Sequence, residues 1–381
     1  MKNKMRVGIV GVGGVGKIHL DAYRSAGEIE VVAAADIADT PLRELGLEYG
    51  FTAYASYEEM LRTEALDIAC VLTPASLHLE VASACAKARV AILCEKPLSS
   101  NLQDAQSLVD LCSAASVPLC YGASYRYLPA IVAARQLIAA GAIGRVRSIS
   151  ERYVGGSGAD GQKPLSPIHY PAGEPGGTGM GLVDHGVHLL DIMPWLIGEP
   201  IVSVLGQGNR TDSPLLPEFA ILHFANGAIG SLTYDDGTFA TTLPVEGMFS
   251  WGSGWDLTGY VAPGRWQDQP GFIDVYGDCG AVRIYHYANK LFLNTKDGMK
   301  QVAVAGGAAP LHFAEQIDNF ARTVRDGKEP AVPGEAGVEA LMVLDAIYRS
   351  EGRRMVDVFL GKLARSSSIA AEQPSDSEKL A

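Results

Sequence analysis

The chain has 381 residues, more than one compact core usually holds, so two domains are expected. Apolar residues make up 48% and charged residues only 19%, enough to fill well-buried cores. A net charge of −12 without a Lys/Arg cluster excludes binding along a nucleic-acid backbone, which needs clustered cations.

The first third alternates strand and helix patterns. "MRVGIVG" is a short buried strand, followed by a helix over 14–25 that Gly27 stops. "IEVVAAADI" is a second strand; Thr40-Pro41 then places an N-cap and a first helical position, and Gly50 closes that helix. Ser56 with Glu59 forms a capping box for "YEEMLRT". "LDIACVLTP" is a strand leading to a helix over 76–88, "RVAILCEKP" another strand, and Ser100 with Gln103 a second capping box for a helix reaching Ala115. "VPLCYGAS" completes the series. Such alternation implies right-handed crossovers and a mostly parallel sheet covered on both faces.

Beyond residue 123 the pattern changes. One helix over 129–140, stopped by Gly141, precedes alternating stretches such as "GRVRSISERYV", "EFAILHF", "AIGSLTY", "AVRIYHY" and "KLFLNT". These predict antiparallel strands with one covered face. Helical patterns recur near 180–196, 311–326 and 335–351. The expected architecture is therefore α/β: a doubly wound domain over 1–123 and an α+β domain over 124–360 with a large, mostly antiparallel open sheet, onto which 311–351 packs back. The polar, small-residue tail 361–381 is expected to be disordered.

Cys70, Cys85, Cys94, Cys112, Cys120 and Cys279 show no metal-ligand grouping, and most sit in apolar runs. They read as reduced core residues. No apolar run reaches the roughly 18–20 residues that cross a bilayer. The N-terminal apolar stretch is glycine-rich and meets Lys17 at once, unlike a secretory leader, so a cytoplasmic protein is expected.

"GIVGVGGVGKI" carries G-x-G-x-x-G at Gly11, Gly13 and Gly16, directly after a strand and opening a helix. Gly11 permits a tight turn, Gly13 lets a pyrophosphate reach the backbone, and Gly16 allows close helix–sheet packing. Asp36 ends the next strand twenty residues past Gly16, where a carboxylate accepts bonds from the ribose hydroxyls and repels a 2′-phosphate. No Lys or Arg follows within five residues, and Asp39 adds negative charge, so the cofactor reads as NAD in preference to NADP.

"LVDHGVHLLD" (182–191) puts Asp184, His188 and Asp191 on one face of a regular helix, with His185 about a quarter turn away. A metal cluster would need three or four converging ligands, so no metal is expected. The spacing reads as a catalytic Asp–His pair, with helix polarity as the structural alternative. In "CEKPLS", Lys96 follows a buried strand on the sheet edge where ligands bind, although on its own it reads first as an ordinary surface salt bridge to Glu95.

The glycine turn, "TPASLH" (73–78), "CEKP" (94–97), "SYRYLP" (124–129) and "GLVDHGVHLLD" (181–191), in that order, together resemble the glucose–fructose oxidoreductase / inositol dehydrogenase / rhizopine-catabolism family. The likeness covers nearly the whole chain except 236–270 and the tail. It implies Lys96, Asp184 and His188 as catalytic group and an NAD(P)-dependent dehydrogenase of sugars or polyols, dimeric or tetrameric through the second-domain sheet. Histidine, with an ordinary pKa near ~6.5, suits removal of a hydroxyl proton, and a lysine ammonium stabilises the developing alkoxide.

Candidate cofactor contacts are Gly11, Gly13, Gly14, Val15, Gly16, Asp36, Ile37, Thr73, Pro74, His78, Glu95, Lys96 and Arg126. His78 reads as a pocket residue by resemblance or as a helix-surface histidine, and Arg126, in the family's R-x-x-P, as a cofactor or structural residue. Candidate substrate contacts are Lys96, Tyr153, Tyr170, Asp184, His188, Trp251 and Trp255. Segment 236–270 holds Trp251, Trp255 and Trp266 and reads as an oligomer contact ahead of a sugar-covering loop. His223 and His286 read as structural, and Pro194 is expected to kink the end of the catalytic helix. Two rival functions are transient sugar oxidation coupled to bond cleavage, and an NAD-sensing regulator of the same fold.

Overall fold

A computed structural model describes residues 4–154, 182–207, 218–235, 272–286, 288–304, 311–350 and 356–357, with side chains at 39, 153, 154, 356 and 357 left aside. The elements run β1 (Met5–Val10), α1 (Gly14–Tyr23), β2 (Ile29–Ala35), α2 (Asp39–Tyr49), β3 (Thr52–Tyr54), α3 (Tyr57–Thr63), β4 (Ile68–Val71) and α4 (His78–Lys87). Next come β5 (Ala91–Glu95), α5 (Leu102–Ala115), β6 (Leu119–Gly122), α6 (Pro129–Ala139), β7 (Val146–Val154), α7 (Val187–Ile197), β8 (Ile201–Gln207), β9 (Glu218–Phe224) and β10 (Ile229–Asp235). Then follow β11 (Ile273–Gly277), β12 (Gly280–Tyr285), β13 (Lys290–Thr295), β14 (Gly298–Val302), α8 (His312–Arg325), α9 (Gly334–Ser350) and β15 (Val356–Asp357).

The first six strands form one parallel sheet in the order β3-β2-β1-β4-β5-β6. Every residue of β4, β5 and β6 is buried, as expected of strands covered on both faces. Because β1 and β4 are neighbours while the chain winds outward on both sides, their carboxyl ends open a crevice at the switch point. The turns after β1, β2, β4, β5 and β6 all emerge on that edge.

Two helix starts differ from expectation. Asn101, not Ser100, caps α5, its side-chain oxygen accepting from Asp104 N at 2.8 Å. The α2 helix begins at Asp39 after Ala38, so Thr40 lies inside its first turn. Ser56 does cap α3, accepting from Glu59 N.

The second sheet has nine strands in the order β14-β13-β12-β11-β7-β10-β9-β8-β15. It is antiparallel except that β10 runs parallel to β7. Helices α6, α7 and α9 cover one face. Val204, Leu222, Leu232, Val275, Val282 and Ile284 point into that layer and are buried. On the other face Phe219, Ile229, Tyr276 and Met299 are exposed, and Arg283 pairs with Asp274.

The chain returns to the first sheet at its end. Tyr121 N of β6 donates to Val332 O, and α8 lies along α1, where Asp318 accepts from Gly27 N and Glu28 N at 2.8 Å each. The long α9 touches α5, α7 and β8, so it packs on both sheets. These contacts fix where the edge of the first sheet meets the helices of the second. No helix among the described residues is long and apolar enough to cross a membrane.

Candidate active site

The turn after β1 is shaped by its glycines. Gly11 has φ +94°, and a Cβ there would sit 2.8 Å from Leu72 O; a Cβ on Gly16 would sit 2.3 Å from Gly11 O. Only hydrogen fits at either position. Gly13 and Gly14 face open space, with nothing within 4 Å of a Cβ, and no side chain caps the first N–H groups of α1. An uncapped helix N-terminus beneath an open backbone suits a pyrophosphate. Asp36 braces this turn: Oδ2 accepts from Val12 N at 2.8 Å and Oδ1 from Ala38 N at 2.9 Å. Each oxygen keeps acceptor capacity for a ribose hydroxyl. Val15 is partly exposed and Ile37 almost wholly so at the lip. These residues fit a dinucleotide.

Thr73 Oγ1, after β4, is buried without a hydrogen-bond partner among the described residues, on the same crevice edge. His78 is buried, not on a helix surface; its Nε2 lies 2.9 Å from Thr73 O and its Nδ1 3.3 Å from Leu98 O. It ties the turn carrying Thr73 and Pro74 to the one beyond Lys96. Glu95 turns inward, accepting from His19 Nε2 at 3.0 Å and from Lys96 N at 2.9 Å, so it orients the lysine backbone and does not pair with the lysine ammonium.

Lys96 reaches across to the second domain. Its Nζ donates to Asp184 Oδ1 at 2.6 Å and to Asp184 O at 3.0 Å, and both side chains remain partly exposed. Asp184 does not sit in a regular helix: Leu182–Gly186 forms a π-turn, and the α-helix begins at Val187. The looser turn changes the expected single face. Asp184 meets Lys96, whereas Asp191, two turns on, forms a buried bidentate pair with Arg126 at 2.7 and 2.8 Å. Arg126 also lies against Trp195 and lines a separate cleft of about 370 Å³ with Asp191 and Glu339. Pro194 stays within α7, which continues to Ile197 and closes on left-handed Gly198.

His188 stacks on Tyr125, with ring centroids 4.0 Å apart and planes 6° from parallel. Its Nδ1 is buried without a partner among the described residues. Burial first, then the Lys96 charge and the neighbouring His185, His312 and His286, hold its pKa well below the ordinary value. Burial likewise pushes His286 and His312 down to about 3, and lowers His78. His286 lies against the Tyr125 ring, so this residue, read from sequence as structural, shares the histidine-rich pocket with His188.

Sequence reading missed Tyr125, Glu151, Glu218 and His312. The two glutamates carried a signal: each occupies an inward position of its strand alternation, Glu218 with Ala220 and Leu222, and Glu151 with Ile149. The side chain of Tyr153, all of Tyr170, Trp251, Trp255 and Trp266, the segment 236–270 and the tail 361–381 lie outside the described residues. Among the described residues, no group of three or more His, Cys, Asp or Glu is arranged to hold a metal.

A parallel sheet with a glycine turn at its switch point, joined to a sheet whose helical layer brings Asp184 onto Lys96, defines a two-domain dinucleotide-dependent oxidoreductase. Residues 5–123 match the oxidoreductase family with an NAD-binding Rossmann fold, and residues 135–358 match that family's C-terminal alpha/beta domain. The chain belongs to this family. It is 25% identical over 367 residues to myo-inositol 2-dehydrogenase of Thermotoga maritima, covering 92% of this chain and 98% of the relative. It is 26% identical over 386 residues to D-apiose dehydrogenase of Paraburkholderia graminis, covering 96% and 91%. The fold is similar to the crystal structure of aldose–aldose oxidoreductase from Caulobacter crescentus, with a TM-score of 0.75, 21% identity and coverage of 93% and 100%.

Buried, neutral His286 and His312 imply acid lability. Each must stay uncharged when folded but takes up a proton below pH ~6.5 when unfolded, so stability present above that pH falls as pH drops toward 3. At pH 5, about 1.5 pH units below the ordinary value, His286 and His312, each held down to about 3, cost about 2 kcal/mol apiece at about 1.4 kcal/mol per pH unit. Thermal unfolding between pH 5 and 8 should show Tm falling steeply only below about 6.5. A flat Tm across that range would contradict the burial of neutral rings.

Proposed function

We propose that the protein is an NAD-dependent dehydrogenase oxidising a secondary hydroxyl of a sugar, cyclic polyol or sugar derivative to a ketone. The observation that carries this reading is the Lys96–Asp184 contact at 2.6 Å, with a neutral, buried His188 one turn beyond Asp184. Relatives named as dehydrogenases of inositol and apiose support the substrate class.

NAD, when bound, supplies the hydride acceptor. Gly11, Gly13, Gly14, Val15 and Gly16 would receive its pyrophosphate, with Asp36 and Ile37 at the adenosine end. Thr73, Pro74 and Lys96 would lie along the rest of the crevice, while His78 and Glu95 act by holding that edge in place. Lys96, as an ammonium, stabilises negative charge growing on the substrate oxygen. His188, kept neutral, accepts the hydroxyl proton, and in the reverse direction returns it. Asp184 holds Lys96 and offers an acceptor to a neighbouring substrate hydroxyl. Arg126, paired to Asp191, has no part in this scheme. NAD is favoured over NADP because a carboxylate at the end of β2, Asp36, suits ribose hydroxyls and would repel a 2′-phosphate. Copies of the chain are proposed to associate through the exposed face of the second sheet, as a dimer or tetramer, which light scattering reads as a multiple of the 40.3 kDa chain mass.

A panel of inositols, aldoses, uronic acids and glycosides, followed by NADH absorbance, should identify a substrate. With it, Lys96→Ala should lose at least ~10²-fold in kcat while NADH binding is kept; unchanged turnover removes Lys96 from the chemistry. Asp36→Ser should narrow the preference for NAD over NADP by an order of magnitude or more. Undiminished discrimination would show that the ribose contact is elsewhere.

A further inference from the structure

Two carboxylates that the chemistry above does not use are buried on the helix-covered face of the second sheet. Glu151 of β7 is 4% exposed and lies opposite Leu232 and Ile273; Glu218 of β9 is 1% exposed and lies opposite Tyr234. Burying a carboxylate costs stability unless hydrogen bonds replace its water. Both have such bonds, and both reach the same five residues. Glu218 Oε2 accepts from Leu182 N at 2.8 Å, the first N–H of the π-turn, while Oε1 accepts from Tyr348 OH. Glu151 Oε1 accepts from His185 Nε2 at 2.8 Å. Asp184 lies between these two attachment points.

A π-turn is an uncommon, loosely wound geometry that needs support from its surroundings. Glu218 supplies support at the start, where a helix has unpaired N–H groups and positive potential that favour a carboxylate. Glu151 supplies it at the far end through a side chain. With both ends tied to the sheet, the backbone carbonyl and the carboxylate of Asp184 meet the same lysine nitrogen.

We propose that Glu151 and Glu218 are positioning residues of the active site, a pair of sheet carboxylates that clamp the π-turn and so aim Asp184 at Lys96. The catalytic consequence rests on the dehydrogenase reading above; the clamp itself does not. Competitive labelling with trace acetic anhydride, read by peptide mass spectrometry, measures Lys96 reactivity without turnover. Lys17, with 52% of its side chain exposed against 16% for Lys96, is the reference within the same molecule. Glu218→Ala and Glu151→Ala should each raise the Lys96/Lys17 labelling ratio at least threefold. They should lower kcat about tenfold with the KM for NAD within twofold, and Glu→Gln at either site should restore most of both.

Replacing both partners of a buried hydrogen bond by apolar groups of similar shape is often nearly neutral for stability, so Glu151→Leu/His185→Phe releases the turn even where an alanine variant fails to fold. It should raise the labelling ratio similarly. A wild-type ratio in that folded variant, or a raised ratio with unchanged kcat, overturns the proposal. A wild-type protein inactive on every substrate tested would defeat the dehydrogenase reading alone, because the labelling ratio still decides the clamp.

Discussion

The Lys96 ammonium and the Asp184 carboxylate belong to different sheets, yet 2.6 Å separates them. Everything else about the site depends on this contact. Lys96 leaves the end of β5, its backbone N–H held by Glu95, whose other oxygen accepts a hydrogen bond from buried His19. Asp184 comes from a turn held by the second sheet. A partly buried pair of this kind contributes little net stability and depends on geometry supplied by its neighbours. That geometry comes from the returning helices: α8 lies along α1, and α9 spans from α5 to β8.

The second property of the site is dryness. His188 is buried flat on Tyr125, against which His286 also packs, with the Lys96 charge nearby. Adding a second positive charge there is unfavourable for two reasons, loss of hydration and repulsion. One nitrogen carries charge while the other keeps its lone pair. On the proposed mechanism these are the two states needed, an electrophilic ammonium and a basic imidazole.

Most of the framework was legible in the sequence because its causes are local. Parallel strands announce themselves as short apolar runs, and the glycine turn is dictated by contacts a Cβ would violate at Gly11 and Gly16. Asp36 and Lys96 could be placed because strand ends mark the crevice edge. What failed was non-local. Regular helical spacing put Asp184, His188 and Asp191 together, but the π-turn breaks that phase, and Arg126 draws Asp191 away. The cap of α5 slipped one residue because Ser100 and Asn101 are both good caps and only the packed backbone chooses between them. Glu218 and Glu151 were hidden in plain alternation, since their partners at 182 and 185 lie 36 and 34 residues away.

The central physical claim is that the imidazole beside Lys96 stays uncharged at working pH. Ring nitrogen-15 resonances of histidine-labelled protein, with His188 assigned through His188→Gln, report this directly. The account requires His188 to remain neutral as the pH falls through and well below the ordinary histidine midpoint of about 6.5. Protonation with a midpoint at or above that ordinary value would mean a wet, charged ring and would contradict the account.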